Sequence, residues 1–220
     1  MKLLIFSYYY STILWLFQIL LRLGFLINNK KIIVNFIDLN NSLNKFILYS
    51  TIIYYNVDIR KKSFFEIISN TTPNNQISNI LTFVNYDYAI NTLISIYDKD
   101  LEFITHHLIT MSCIYSCQIY NHHQVAILFL FLFNISSPFL STAKLLHYYN
   151  QKELADIFFY LFAIVFFNFR IILFTCLLIY GIFYCNYYNY NYYLINTTGL
   201  IIYKFQIDWL FKIIEIIAKK

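Results

Sequence analysis

Glycine and proline are nearly missing from this chain, with three and two among 220 residues. So few glycines leave no glycine-rich loop to cradle a phosphate and no nucleophile elbow. Charge is scarce as well: Asp, Glu, Lys and Arg make up 12% of the residues, against roughly 25% in a typical soluble domain. Five histidines are too few for the spaced boxes that a di-iron desaturase or hydroxylase needs. Of four cysteines, Cys113, Cys117 and Cys176 lie inside apolar runs and Cys185 lies near the end of one. That placement is unlike a secreted disulfide framework.

What the chain does have is hydrocarbon. Sixty per cent of it is apolar, and its length leaves room for about six or seven spans of roughly 20 residues. The expected fold is therefore all-α, a polytopic membrane helix bundle of about six to seven transmembrane helices with no soluble module. Apolar runs place spans at 3–27, 43–57, 79–97, 101–120, 125–143, 157–184 and 193–217. The domain reading is an N-terminal helix and loop over 1–39, a main membrane domain over 40–217 and a short basic end at 218–220. Lys2 followed by an apolar run resembles a signal peptide, but the run shows no small-residue cleavage site, so an uncleaved span is expected. The loop 58–78 carries turn chemistry around Pro73, and the Tyr/Asn run 186–193 reads as an interfacial, low-complexity segment. The Ile, Asn, Tyr, Phe and Lys bias is that of AT-rich coding sequence, so single Tyr and Phe residues carry little weight.

The net charge is +5, from sixteen basic and eleven acidic residues. The basic residues sit between apolar runs, as in Lys30-Lys31 and Arg60-Lys61-Lys62, so they speak for topology rather than for nucleic acid. Seven spans would put Lys30, Lys31, Lys45, Lys144, Lys152 and Lys219-Lys220 on one side, in loops or at the terminus. This favours a cytosolic C-terminus, with the sequon at Asn70 on the lumenal side.

Polar residues inside the spans need a reason to be there. Span four places Glu102, His106, Thr110, Cys113 and Cys117 at spacings of four, four, three and four, which is one stripe on a helix. Asp87, Asn91, Ser95 and Asp98 form a stripe on span three, and Asn134, Ser137, Ser141 and Lys144 one on span five. Pro138 is expected to kink span five, freeing a carbonyl that then needs a neighbour or water. In hydrocarbon such faces must meet one another or a wet cavity, so spans three to five are expected to enclose a polar chamber. Span six adds Asn168 and Arg170, unless Arg170 snorkels. His106 heads its stripe, and His107, about 100° round the helix, is directed at span three or five.

Interhelical glue, at about 0.6 kcal/mol per contact, accounts for Thr110, Cys113, Cys117 and Ser141. For the adjacent histidines a structural and a functional role weigh evenly. His122-His123 is expected in an interfacial loop. His106, Cys113 and Cys117 lack a fourth ligand for zinc, so no metal is expected. Lys204, Asp208, Lys212, Glu215 and Lys219 alternate in sign at helical spacing and read as a solvated face with no catalytic role.

The run Leu101-Glu-Phe-Ile-Thr-His-His-Leu-Ile-Thr-Met111, with Asn134-Ile-Ser-Ser-Pro-Phe139, resembles the TLC-domain family. That family includes ceramide synthases, translocating-chain-associated membrane proteins and a group of small TLC-domain-containing proteins. The resemblance extends to Phe166-Phe-Asn-Phe-Arg-Ile171 and to the closing Gln206-Ile-Asp-Trp-Leu-Phe-Lys-Ile-Ile214, covering residues 40–217. It implies a helical bundle in the endoplasmic reticulum that handles lipids. Ceramide synthases carry a His-Asp pair and another Asp where this chain has Phe133-Asn134 and Ser137. Only His106 and His107 carry over, which points to the small TLC-domain-containing branch, itself with a Glu in place of Asn134. The resemblance implies a protein of lipid homeostasis that binds, senses or regulates membrane lipids. The alternative is a lipid acyltransferase with a fatty acyl-CoA as substrate, in which His106 or His107 acts as base or nucleophile and Asp87 as its partner. In either case Asn91, Thr110, Asn134, Ser137, Ser141 and Arg170 line the chamber. No cofactor is expected. The expected partners are membrane lipids, with self-association a further option; a structural role beside the translocon is a third reading.

Overall fold

The computed structural model describes residues 30–56, 66, 73–185 and 192–219. These residues form helices and tight turns, and among the described residues there is no strand. In chain order the helices are α1 (Lys30–Asn56), α2 (Asn75–Tyr97), α3 (Leu101–Ile119), α4 (His123–Asn134), α5 (Ser137–Tyr148), α6 (Lys152–Phe166), α7 (Phe174–Tyr180) and α8 (Tyr192–Ala218). A π-helical segment, Phe167–Leu173, joins α6 to α7 in one continuous rod, and a second, Gly181–Cys185, extends α7. The expected span 3–27, the Arg60-Lys61-Lys62 cluster, the Asn70 sequon and most of the 186–193 run lie outside the described residues.

Turn chemistry shapes the hairpins. Lys99, Asn121 and Asn150 have φ of 58°, 60° and 58°, the left-handed conformation that usually closes a helix on glycine. At each, the next residue's N–H reaches back five positions: Asp100 to the Ser95 carbonyl at 2.9 Å, His122 to Cys117 at 2.7 Å and Gln151 to Leu146 at 3.0 Å. These are Schellman motifs built without glycine. Asn74 and Asp100 cap the next helices, accepting from the N–H groups of Ile77 at 3.0 Å and Phe103 at 3.2 Å.

Two expectations change here. Helix α1 starts well before the expected span 43–57, so Lys45 lies within a helix rather than in a loop. The Asn-rich stretch 35–44 reads as loop by composition, yet Ile37 and Ser42 are buried and the Ser42 hydroxyl donates to the Leu39 carbonyl. Burial outweighs local propensity there. Span five breaks at Ile135-Ser136 rather than bending at Pro138, because Pro138 occupies the first turn of α5, where a missing N–H costs nothing. The Ser137 hydroxyl donates to the Phe133 carbonyl.

The stretches His123–Tyr148 and Lys152–Phe183, of 26 and 32 residues, are long and apolar enough to cross a membrane. Leu93, Leu108, Tyr115, Ile164, Ile172 and Phe211 point outward, as suits helices surrounded by hydrocarbon. Hydroxyls such as those of Thr92, Ser95, Thr110 and Ser116 donate to carbonyls four residues back, which satisfies them within their own helix. The result is the all-α membrane bundle expected.

The chain divides into two compact units. One comprises Met1–Thr51 with Phe131–Phe169; it contains the α5–α6 hairpin, a stack of Phe46 on Phe131 and a ladder of Phe159, Phe162 and Phe166. The other comprises Ile52–Leu130 with Arg170–Lys220. In this second unit α3 packs on both α2 and α8, and α8 also packs on α7.

Candidate functional site

The α3 stripe is the natural place to begin, since helical spacing alone puts Glu102, His106, Thr110, Cys113 and Cys117 on one face. In the folded unit α8 covers that face. The Trp209 indole N–H donates to Glu102 Oε1 at 2.6 Å, and Lys212 Nζ donates to Oε1 at 2.9 Å and Oε2 at 2.6 Å. One turn along, the His106 ring meets Trp209 edge to face at 4.9 Å and Phe205 at 5.7 Å, centroid to centroid. Thr110 follows, buried, its hydroxyl on the His106 carbonyl at 2.8 Å. Cys113 and Cys117, both buried free thiols, follow one turn apart, and Thr198 of α8 lies against Cys113.

His107 points to the other neighbour. Its ring lies 5.5 Å from Tyr88 of α2 and 5.9 Å from Phe103, and the two histidine rings are 5.8 Å apart. Phe103 stacks on Trp209 at 5.6 Å. The pair is thus held in a cage of rings, where T-shaped contacts bring ring edges against ring faces. Arg170, on the π-helical turn, is close enough to His106 and Tyr88 to act on both electrostatically. π-helical turns of this kind recur at functional sites.

Not every expected member is here. His106, His107, Thr110, Asp87, Asn91 and Arg170 belong to this unit, whereas Asn134, Ser137 and Ser141 belong to the other. Asn91 donates to the Asp87 carbonyl at 2.8 Å, so its amide is spent on its own helix. Asn168 is exposed and bonds back to the Ile164 carbonyl. The α3 stripe, read as facing spans three and five, is turned on the last helix instead. Trp209, Lys212, Phe205 and Tyr88 were missed: the first three lie on a helix whose charges read as a solvated face, and the fourth is one tyrosine among 22. Lys204–Asp208 at 2.7 Å and Lys219–Glu215 at 2.6 Å do form pairs within the helix. Lys212 alone leaves the series to reach Glu102.

The second histidine pair lies at the turn between α3 and α4. His122 and His123 are buried there, with relative exposures of 0% and 3%. The Asn74 N–H donates to His123 Nδ1 at 3.1 Å, and the His122 ring lies 4.2 Å from that of Tyr192. Burial, and then the neighbouring His123, hold the His122 imidazole down at about 4. The Schellman turn at Asn121 swings both rings inward. Among the described residues no three His, Cys, Asp or Glu side chains converge to hold a metal ion.

No curated protein and no solved structure matches the chain. A family model does: that of the TLC domain matches residues 3–215 and so includes the histidine-bearing helix, the π-helical arginine turn and the tryptophan-bearing last helix. With nearly its whole length matched, this chain belongs to the TLC-domain family of membrane proteins.

Proposed function

We propose that the chain acts in lipid homeostasis, binding or sensing a membrane lipid whose head reaches the ring cage around His106 and His107. One observation carries this over the acyltransferase alternative: His106 Nδ1 is buried with no protein partner. A histidine that serves as base or nucleophile is oriented by a third group. Glu102, the carboxylate on its own stripe, is held by Trp209 and Lys212. An open Nδ1 beside a carboxylate that is already held supports contact of His106 with a ligand. In this reading the membrane is that of the endoplasmic reticulum and the C-terminus is cytosolic, in keeping with the basic residues between spans.

The test is lipid mass spectrometry on purified wild type and a His106→Ala/His107→Ala double mutant, alongside incubation with labelled acyl-CoA and a panel of acceptor lipids. The expected outcome is a lipid retained by the wild type, retained several-fold less by the mutant, and no acylated product. A product that disappears in the mutant would establish the acyltransferase instead. Equal retention in both forms would place the lipid away from the histidines.

A further inference from the structure

Gln206 is fully buried, at 0% exposure, and neither its Oε1 nor its Nε2 has a protein partner. A primary amide sealed from water with both ends unsatisfied is costly to keep, and the register of α8 shows what it faces. Against the α7 rod, Asn196 meets Gly181, Gly199 meets Leu178, and Tyr203 meets Phe174 and Thr175. The two helices run antiparallel in a constant register, so the next turn sets Gln206 opposite Ile171 and beside Arg170. Against α3, Thr198 meets Cys113, Phe205 meets His106, and Trp209 meets both His106 and Glu102. That register is antiparallel as well, and it sets Gln206 at the level of His106. On the α8 wheel Gln206 lies between the side facing α3 and the side facing the rod. Two separate registers therefore bring its amide to the level of the unpartnered His106 Nδ1.

We infer that Gln206 reads the head of the bound lipid, and that this head is not a cation and presents a carbonyl acceptor beside an amide or hydroxyl donor. The amide needs one partner of each kind, since its oxygen accepts and its nitrogen donates. The surroundings select against a cation: Glu102 is already held by Lys212 and Trp209, and the Arg170 guanidinium, near enough to act on His106, repels positive charge. A cationic head would lose its hydration there without an equal return. Arg170 makes contacts of its own, and no hydrogen bond to the lipid is assigned to it. The assignment rests on the lipid-binding reading above and narrows it to a class of ligand.

The experiment uses the full chain in phosphatidylcholine nanodiscs and three probes with one oleoyl chain each: N-oleoylethanolamine, methyl oleate and oleate. Wild type is expected to bind N-oleoylethanolamine about tenfold more tightly than methyl oleate, which offers acceptors only. Gln206→Leu, of similar volume, is expected to bind the two within about twofold while melting no lower than wild type without lipid; Gln206→Met serves as a second apolar variant. If either folded variant keeps the wild-type preference, the assignment to Gln206 falls and lipid binding stands. A preference for oleate, which offers acceptors only, overturns the pairing of acceptor with donor. If no probe binds wild type, the lipid-binding reading and this assignment fall together.

Discussion

Glu102 receives two donors at once, and they are not equivalent. The Trp209 indole bond is charge-assisted and half-buried, worth about 1.5–3 kcal/mol. The Lys212 side chain is 57% exposed, and pairs of that kind are worth about 0–1 kcal/mol. Glu102→Gln should therefore destabilise the protein by about 1 kcal/mol or more, and Lys212→Met by clearly less, as read from thermal unfolding in detergent. A larger loss from Lys212→Met would mean that the ion pair, and not the indole bond, anchors α8. His122 makes a prediction in pH. With the folded group held at about 4 and the unfolded one near 6.5, the unfolded chain takes up a proton first as pH falls. Stability is then full above about 6.5 and is lost towards 4, by about 2–3 kcal/mol across that window. His122→Phe, which keeps a ring on Tyr192, should flatten the melting temperature against pH. Parallel profiles for the two proteins would show that other groups set the acid limit.

At the scale of helices, close approach of α8 to the rod depends on two glycines. A Cβ at Gly181 would stand 2.5 Å from Asn196 Oδ1, and one at Gly199 would stand 2.9 Å from Leu178 Cδ2. Both sites would gain roughly 1 kcal/mol of helix propensity from alanine, so the balance turns on what must move. Leu178 can shift the end of a flexible side chain, whereas the buried Asn196 amide must give up its contacts. Gly181→Ala is expected to cost about 1–2 kcal/mol net and Gly199→Ala close to nothing, measured by thermal unfolding of each variant. The reverse order would show that the two helices touch chiefly at Gly199. The glycine-free Schellman turns fit the same picture: scarce glycine goes to helix contact, while asparagine and lysine take the left-handed turns.

For the whole molecule the consequence is a chain that stays with the membrane. Apolar side chains cover its outer faces, and the matched family is one of membrane proteins. After washing of membranes at alkaline pH the protein should remain in the pellet; release into the supernatant would contradict a spanning bundle. Topology can be read on the same material. A cytosolic C-terminus puts Asn70 in the lumen, so a glycan removable by endoglycosidase and absent from Asn70→Gln is the expected result. A C-terminal tag protected from protease in sealed microsomes would reverse the orientation.

Helix content, the membrane character and the α3 stripe with His106 at its head were all legible in the sequence. Each depends on local composition and on a period of 3.6, which neighbours in the chain can express. The partner of that stripe was not legible. Glu102 and Trp209 are 107 residues apart, and periodicity names the face of a helix without naming what covers it. Lys212 reads as solvated because its neighbours pair along the helix, and only the docking of α8 on α3 turns it to Glu102. His122 and His123 give no local sign of burial for the same reason. Their type and loop position are local, but the left-handed turn at Asn121 and the packing of Tyr192 decide that they are buried. Gln206 is the sharpest case. Nothing in its sequence neighbourhood separates it from an exposed glutamine, and its burial beside His106 follows from two helix registers that exist only in the folded chain.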